Sequence, residues 1–152
     1  MPSTPLGWAA SRQNDGRLQI GIGGRLTSES ATNALSPLRV IEVFADLVPT
    51  DCVIAAMSSG LGSVANNTRA GWEIYRASKA ALNTLLRSFA VRRGGRRTVL
   101  AVAPGWVRTD MGGPDALLDV ETSVAGIADT IAARKGQPGS AYVDYQGNDI
   151  PW

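Results

Sequence analysis

Apolar residues recur at Leu35, Leu38, Ile41, Val43, Phe44 and Leu47, a helical spacing that predicts a helix from Ser28 to about Leu47, kinked at Pro37 early in the run. Cys52 to Met57 has a different pattern. It is short and nearly all apolar, and it opens into Ser58-Ser59-Gly60-Leu61-Gly62, as a buried parallel strand opens into a loop. A second long helix is predicted from about Glu73 to Val91, carrying Tyr75, Lys79, Leu82, Leu85, Leu86 and Phe89 and stopped by Gly94-Gly95. Thr98 to Ala103 reads as another buried strand, ended by Pro104-Gly105 and followed by an irregular segment from Trp106 to Leu118. A third helix from about Val120 to Ala133 leads to a last strand, Gly139 to Asp144, with the turn Gln146-Gly147-Asn148 behind it. This alternation predicts an α/β layer with a parallel sheet and right-handed crossovers. Residues 1–30 offer only the short alternation Leu18-Gln19-Ile20-Gly21-Ile22, so they read as a leader with at most one strand, and 31–152 as the folded portion.

Composition narrows the chemistry. With 152 residues and 44% hydrophobic content the chain suits one domain with a real core. No run approaches the ~20 apolar residues of a membrane span, and Met1-Pro2-Ser3-Thr4-Pro5 lacks the charged-then-apolar pattern of a secretory signal. A cytoplasmic protein without a membrane partner is expected. The single cysteine, Cys52, precedes Val53-Ile54-Ala55-Ala56 and reads as a small buried residue in a reducing compartment. The chain has no histidine, which removes Ser-His-Asp and Cys-His catalysis and the commonest zinc ligand together, so no metal site is expected. Net charge is only +2, and Arg92, Arg93, Arg96 and Arg97 surround the glycines where a helix ends. Cations there complement the helix dipole, and no nucleic-acid partner is expected.

One of only two lysines lies four residues after a tyrosine, in Tyr75-Arg76-Ala77-Ser78-Lys79. One helical turn brings both side chains to one face. An ammonium near a phenol favours the phenolate, lowering a pKa otherwise about 10 and making tyrosine a usable proton donor and acceptor. The same spacing also occurs on solvated helices, so the pair alone leaves both readings open.

Ser58-Ser59, Tyr75-x-x-x-Lys79 and Pro104-Gly105-Trp106-Val107-Arg108-Thr109, in that order and on those elements, resemble the short-chain dehydrogenase/reductase family. The stretches Met57 to Ser63, Tyr75 to Asn83, Pro104 to Gly113 and Asp144-Tyr145-Gln146-Gly147 are most similar to the branch of sniffer-type carbonyl reductases and bacterial C-factor proteins. The resemblance spans residues 31–152 and implies a partial Rossmann-like, doubly wound parallel sheet. It implies Tyr75 as catalytic acid or base and as a cofactor-binding residue, Lys79 as the lysine that tunes it and bonds the nicotinamide ribose, and Ser59 rather than Ser58 as the hydroxyl on the substrate oxygen. Asn33, in Ala31-Thr32-Asn33-Ala34-Leu35, matches the asparagine that holds a relay water; a plain helix-start residue is the other reading. Pro104, Gly105, Val107 and Thr109 match the segment against the nicotinamide and its phosphates, with the Val107 backbone at the carboxamide and Thr109 near the pyrophosphate. NAD or NADP is the implied cofactor, and a small carbonyl or alcohol compound the implied substrate. Trp72, Trp106 and Met111 flank these motifs as pocket or packing residues.

The family's Thr-Gly-x-x-x-Gly-x-Gly turn, which offers a helix N-terminus to the pyrophosphate, is missing from this sequence. Gly21-x-Gly23-Gly24 is too short to match it; it stands alternatively where the family has Asn-Asn-Ala-Gly. The resemblance therefore implies the catalytic and substrate half of such an enzyme, truncated ahead of it, with a sheet edge left to pairing. The alternative to catalysis is a silent truncated paralogue that oligomerises through its two long helices.

Overall fold

A computed structural model describes residues 22–152 and two short strands before them, β1 (Ser11–Arg12) and β2 (Leu18–Gln19), which pair antiparallel. The segment expected to hold at most one strand thus holds two of two residues each, and the helix expected from Ser28 begins earlier. Helix α1 runs Ile22–Ser30. Gly23 and Gly24 fall in its first turn, whereas glycine's penalty of about 1 kcal/mol applies to helix interiors.

A π-helical stretch, Ala31–Leu35, joins α1 to α2 (Ser36–Phe44), and a 3-10 turn, Ala45–Leu47, completes the run. Pro37 explains the wide turn. It has no N–H for the carbonyl of Asn33, and its ring crowds that carbonyl, so the chain loosens just ahead of it. The Ser36 N–H donates five residues back to the Ala31 carbonyl, and the Ser36 hydroxyl donates to the same oxygen at 2.9 Å.

Strand β3 (Val53–Met57) is followed by the 3-10 turn Gly60–Gly62 and helix α3 (Glu73–Phe89), which continues as a π turn over Ala90–Gly94. Strand β4 (Thr98–Ala103), helix α4 (Val120–Arg134) and strand β5 (Gly139–Asp144) complete the fold. The sheet order is β3-β4-β5, all parallel, with Ile54 opposite Val99 and Leu100 opposite Ala141. Val99, Ala101, Ala103 and Tyr142 pack on one face with Leu82, Leu86 and Phe89 of α3 and with Ala34, Leu38 and Ile41. Leu100, Val102 and Val143 pack on the other with Ile127 and Ile131 of α4. Leu82, Leu86 and Phe89 are fully buried, each contributing about 1.5–3 kcal/mol of hydrophobic stabilisation.

The sheet advances in one direction while α3 and α4 lie on opposite faces, so the two crossovers have opposite hands. Only one can be the right-handed connection that the strand and helix alternation predicts. The far edge of β3 has no strand beside it among the described residues. No helix among them is long and apolar enough to cross a membrane.

Asp119 caps α4 by accepting the Thr122 N–H at 2.8 Å. The chain end folds back along β5, where the Ile150 N–H donates to Tyr142 O and the Ala65 N–H to Trp152 O. Ser63 Oγ donates to Pro151 O at 2.5 Å, fixing the loop after β3. Two arginines of the cluster join the end of α3 to α2 and the 3-10 turn after it: Arg92 pairs with Glu42, and Arg93 with Asp46 at 2.9 Å. Cys52 is half-buried rather than buried.

Candidate active site

Tyr75 and Lys79 lie one turn apart near the start of α3, with the Lys79 ammonium 5.8 Å from the centre of the Tyr75 ring. Lys79 Nζ donates to the carbonyl oxygen of Met57 at 3.0 Å. The reason is the register of β3. The Ser58 N–H donates to Val102 O and the Thr98 N–H to Cys52 O, so even-numbered peptide groups face β4 and those of Val53, Ala55 and Met57 face the open edge. The last outward carbonyl of the strand meets the lysine. Burial holds the Lys79 ammonium below its ordinary lysine pKa.

Gly62 lets the turn after β3 approach α3 at this point. A Cβ on Gly62 would stand 3.0 Å from Lys79 Cβ, 3.0 Å from Asn83 Nδ2 and 3.1 Å from the Lys79 carbonyl carbon. The adjacent serines have different tasks. Ser58 is buried, and its hydroxyl donates to Asn83 Oδ1 at 2.6 Å while Asn83 Nδ2 donates to Gly62 O at 3.3 Å. Ser59 begins the turn and accepts the Leu61 N–H at 3.2 Å, an arrangement that leaves its own hydroxyl proton for another acceptor. The Tyr142 hydroxyl donates to the Ser59 carbonyl, tying β5 to this turn, and burial raises the Tyr142 pKa.

Asn33 reaches α3 from the π stretch: its Nδ2 donates to Ser78 Oγ at 3.0 Å, and Ser78 Oγ donates to Tyr75 O at 2.8 Å. Asn33 and Tyr75 also border an open cleft of about 560 Å³, shared with Trp72 and Met111. Trp72 packs edge-on to Tyr75, ring centres 6.1 Å apart. A second cleft of about 490 Å³ lies against Ala77 and Ala80 and contains neither Tyr75 nor Lys79.

After β4, Gly105 turns with φ +83°, and a Cβ there would stand 2.5 Å from Leu118 Cδ1. The Leu118 N–H donates to Trp106 O and the Arg108 N–H to Leu118 O, so the Val107 peptide N–H and C=O point away from Leu118. Thr109 Oγ1 accepts the Gly112 N–H at 3.2 Å and donates to Val107 O at 3.4 Å, so this hydroxyl closes its own loop. Trp106 Nε1 likewise donates to Gly112 O at 2.9 Å, whereas Met111 extends to the Tyr75 cleft. The Pro104 carbonyl accepts the hydroxyl of Ser123 at 2.8 Å, which anchors the loop on α4.

Sequence reasoning left Ser78, Asn83 and Tyr142 without roles. The signal for Ser78 and Asn83 was there: each follows a candidate residue by a helical step on α3, Ser78 three after Tyr75 and Asn83 four after Lys79. Tyr142 carried no such signal, because its contact with Ser59 joins positions 83 residues apart.

Residues 26–139 match the family model described as enoyl-(acyl carrier protein) reductase. The chain belongs to the short-chain dehydrogenase/reductase family. This short-chain dehydrogenase/reductase is 43% identical over 124 residues to the C-signal protein of Myxococcus xanthus, covering 79% of this chain and 74% of that one. Among solved structures it is similar to a Burkholderia multivorans short-chain dehydrogenase/reductase with bound NADP, at 45% identity and a TM-score of 0.82, covering 93% of this chain and 60% of the other. It is also similar to the carbonyl reductase Sniffer of D. melanogaster, at 30% identity and a TM-score of 0.74, covering 99% and 64%. The chain therefore spans about three-fifths of the length of these solved relatives, and its three-stranded parallel sheet with helices on both faces is part of their Rossmann-like fold.

Proposed function

We propose that this chain carries the proton-transfer centre of an oxidoreductase that interconverts a carbonyl and an alcohol with NAD or NADP. The observation that carries the reading is Tyr75 at the border of an open cleft, with Lys79 one turn behind it and Asn33 joined to the same helix through Ser78. In reduction the Tyr75 hydroxyl gives its proton to the substrate oxygen; in oxidation it takes one. The Ser59 hydroxyl polarises that oxygen. A bound nicotinamide supplies or accepts the hydride.

The residues present suit the nicotinamide and ribose end of such a cofactor. Lys79 uses one N–H on Met57 O and keeps two further donors for ribose hydroxyls, and the Val107 N–H, turned from Leu118, is free for a carboxamide oxygen while Thr109 holds the Val107 carbonyl. Support stops at the phosphates. Thr109 is bonded within its loop, Gly23-Gly24 is helical, and no glycine-rich cradle stands among the described residues. The carbonyl reductase and NADP-bound relatives support the chemistry and the cofactor class without choosing NAD or NADP for this chain. A single cysteine fits work in a reducing cytoplasm.

Titration of the chain with NADH and with NADPH, followed by fluorescence to millimolar concentration, tests the reading. A saturable signal with either is expected; none with both overturns it.

One observation favours the second reading, self-association through the long helices. Val40, Val43, Phe44 and Leu47 form a stripe at helical spacing on α2 and its 3-10 extension, each more than half exposed. A second copy of the chain is the proposed occupant. Sedimentation equilibrium should show dimers that Val43→Glu with Leu47→Glu abolishes, and a monomer at all concentrations would remove this reading.

A further inference from the structure

Resting on the oxidoreductase reading, we infer that Tyr142 is a positioning residue for the reaction, its hydroxyl holding the Ser59 turn so that the Ser59 hydroxyl keeps one direction. Tyr142 lies on β5, with β4 between it and β3, and its hydroxyl reaches past β4 to donate to the Ser59 carbonyl. Ala101 and Ala103 present only methyl groups on that face of β4, which leaves room for the ring. The carbonyl is satisfied without this donor, because the Gly62 N–H already reaches it at 2.9 Å and closes the 3-10 turn. The core is filled without it too, since a phenylalanine ring has nearly the same volume. What a second donor adds is direction. With both lone pairs of the carbonyl engaged, the Ser59–Gly60 peptide is fixed in orientation. Gly60 is exposed with open space around it, so nothing else there restrains the turn. Ser59 Oγ accepts the Leu61 N–H across that same peptide, and a turn that rocks would let the hydroxyl change rotamer.

The tyrosine is itself held in place. Trp152 packs on its ring with centres 5.4 Å apart, the Arg87 guanidinium lies 5.4 Å from the centre of the Trp152 ring, and the Ile150 N–H donates to Tyr142 O at 2.8 Å. The same returning chain grips the loop beyond the turn, where Ser63 Oγ donates to Pro151 O and the Ala65 N–H to Trp152 O. On the other side, Ser58 is anchored to Asn83 of α3. Ser59 therefore sits between a residue fixed by the helix and a peptide fixed by β5. Burial holds the Tyr142 hydroxyl above its ordinary pKa, with the Asn83 side chain acting the other way, so it remains a donor at neutral pH.

Tyr142→Phe keeps the ring and removes only the donor. Solution NMR of wild type should give the Ser59 α–β proton couplings of a single rotamer. In Tyr142→Phe these couplings should average, and hydrogen exchange of the Leu61 and Gly62 amides should quicken at least about fivefold, the effect of one lost hydrogen bond. Thr98→Val, which removes a buried hydroxyl at the far end of β4, controls for general loosening and should leave both signals at wild-type values. Reduction of acetophenone should fall at least about fivefold in Tyr142→Phe with cofactor affinity unchanged, and should fall no further when Tyr142→Phe is added to Ser59→Ala. A Ser59 rotamer unchanged in Tyr142→Phe, amide exchange quickened equally in Thr98→Val, or equal losses of turnover in the wild-type and Ser59→Ala backgrounds overturns the inference. Rotamer averaging confined to Tyr142→Phe, together with no saturable binding of NADH or NADPH, would instead remove the oxidoreductase reading and leave Tyr142 as the residue that fixes the turn.

Discussion

The Lys79 ammonium donates to the carbonyl oxygen of Met57 at 3.0 Å, at the end of a strand whose outer edge carries no other strand among the described residues. One lysine thus joins the candidate proton donor's helix to the sheet. It also places a charge on an edge that would otherwise invite pairing.

That burial has a pH signature. The folded-state pKa of Lys79 is lowered, so between that value and the ordinary 10.5 the unfolded chain holds a proton that the folded chain has released. Stability from this group rises with pH across that window and is lost as pH falls through the folded pKa. Thermal melts of wild type and Lys79→Met as the pH is raised towards 10.5 should diverge by this slope, with the rise absent from the variant. Tyr142, whose raised pKa acts with the opposite sign above 10, cancels in the comparison. Parallel pH profiles would refute the assignment.

Gly62→Ala should destabilise the fold by about 1–3 kcal/mol, because the new methyl meets the backbone of Lys79 as well as side chains. Gly60→Ala, two residues earlier in the same turn, has open space around it and should lie within about 0.5 kcal/mol of wild type. Urea unfolding of the two variants gives the contrast directly.

The serines should separate by assay. Ser58→Ala leaves buried Asn83 without its donor and should lower stability by about 1–3 kcal/mol. Ser59→Ala loses only the part-exposed bond from the Leu61 N–H, so it should cost less stability than Ser58→Ala and reduce turnover at least about tenfold, as loss of a polarising hydroxyl requires. A stability loss in Ser59→Ala equal to that of Ser58→Ala would place Ser59 in the fold and not the site.

Asn33 and Ser78 should couple. In a double-mutant cycle of Asn33→Ala and Ser78→Ala, stability should show an interaction of about 0.5–1.5 kcal/mol, since one hydrogen bond joins them. Strict additivity would mean that the bond contributes nothing.

Much of this arrangement is legible in the sequence where the information is local. The spacing of Leu82, Leu86 and Phe89 predicts α3, and the apolar runs at Cys52–Met57 and Thr98–Ala103 predict neighbouring buried strands. Tyr75 and Lys79 share a helix face by arithmetic alone. What the pattern does not carry is relational. Pro37 signals a disturbed helix, but that the disturbance is a π turn presenting Asn33 to Ser78 depends on how α3 packs against it. The early start of α1 is hidden because Gly23-Gly24 reads locally as a turn. The opposed crossovers depend on which sheet face α4 covers, and its apolar residues Ile127 and Ile131 do not encode that choice. The left-handed Trp72 is equally silent, because tryptophan announces no positive φ.

Deuteride transfer tests the central claim most directly. The chain would be incubated with 4-deuterated NADPH or NADH and a neutral aryl ketone, and the alcohol product analysed by mass spectrometry for wild type and Tyr75→Phe. Wild type should give alcohol deuterated at the former carbonyl carbon, and Tyr75→Phe should give at least about a hundredfold less while retaining wild-type cofactor affinity. No deuterated alcohol from wild type with either cofactor, or equal amounts from wild type and Tyr75→Phe, would contradict Tyr75 as the proton donor of a hydride-transfer enzyme.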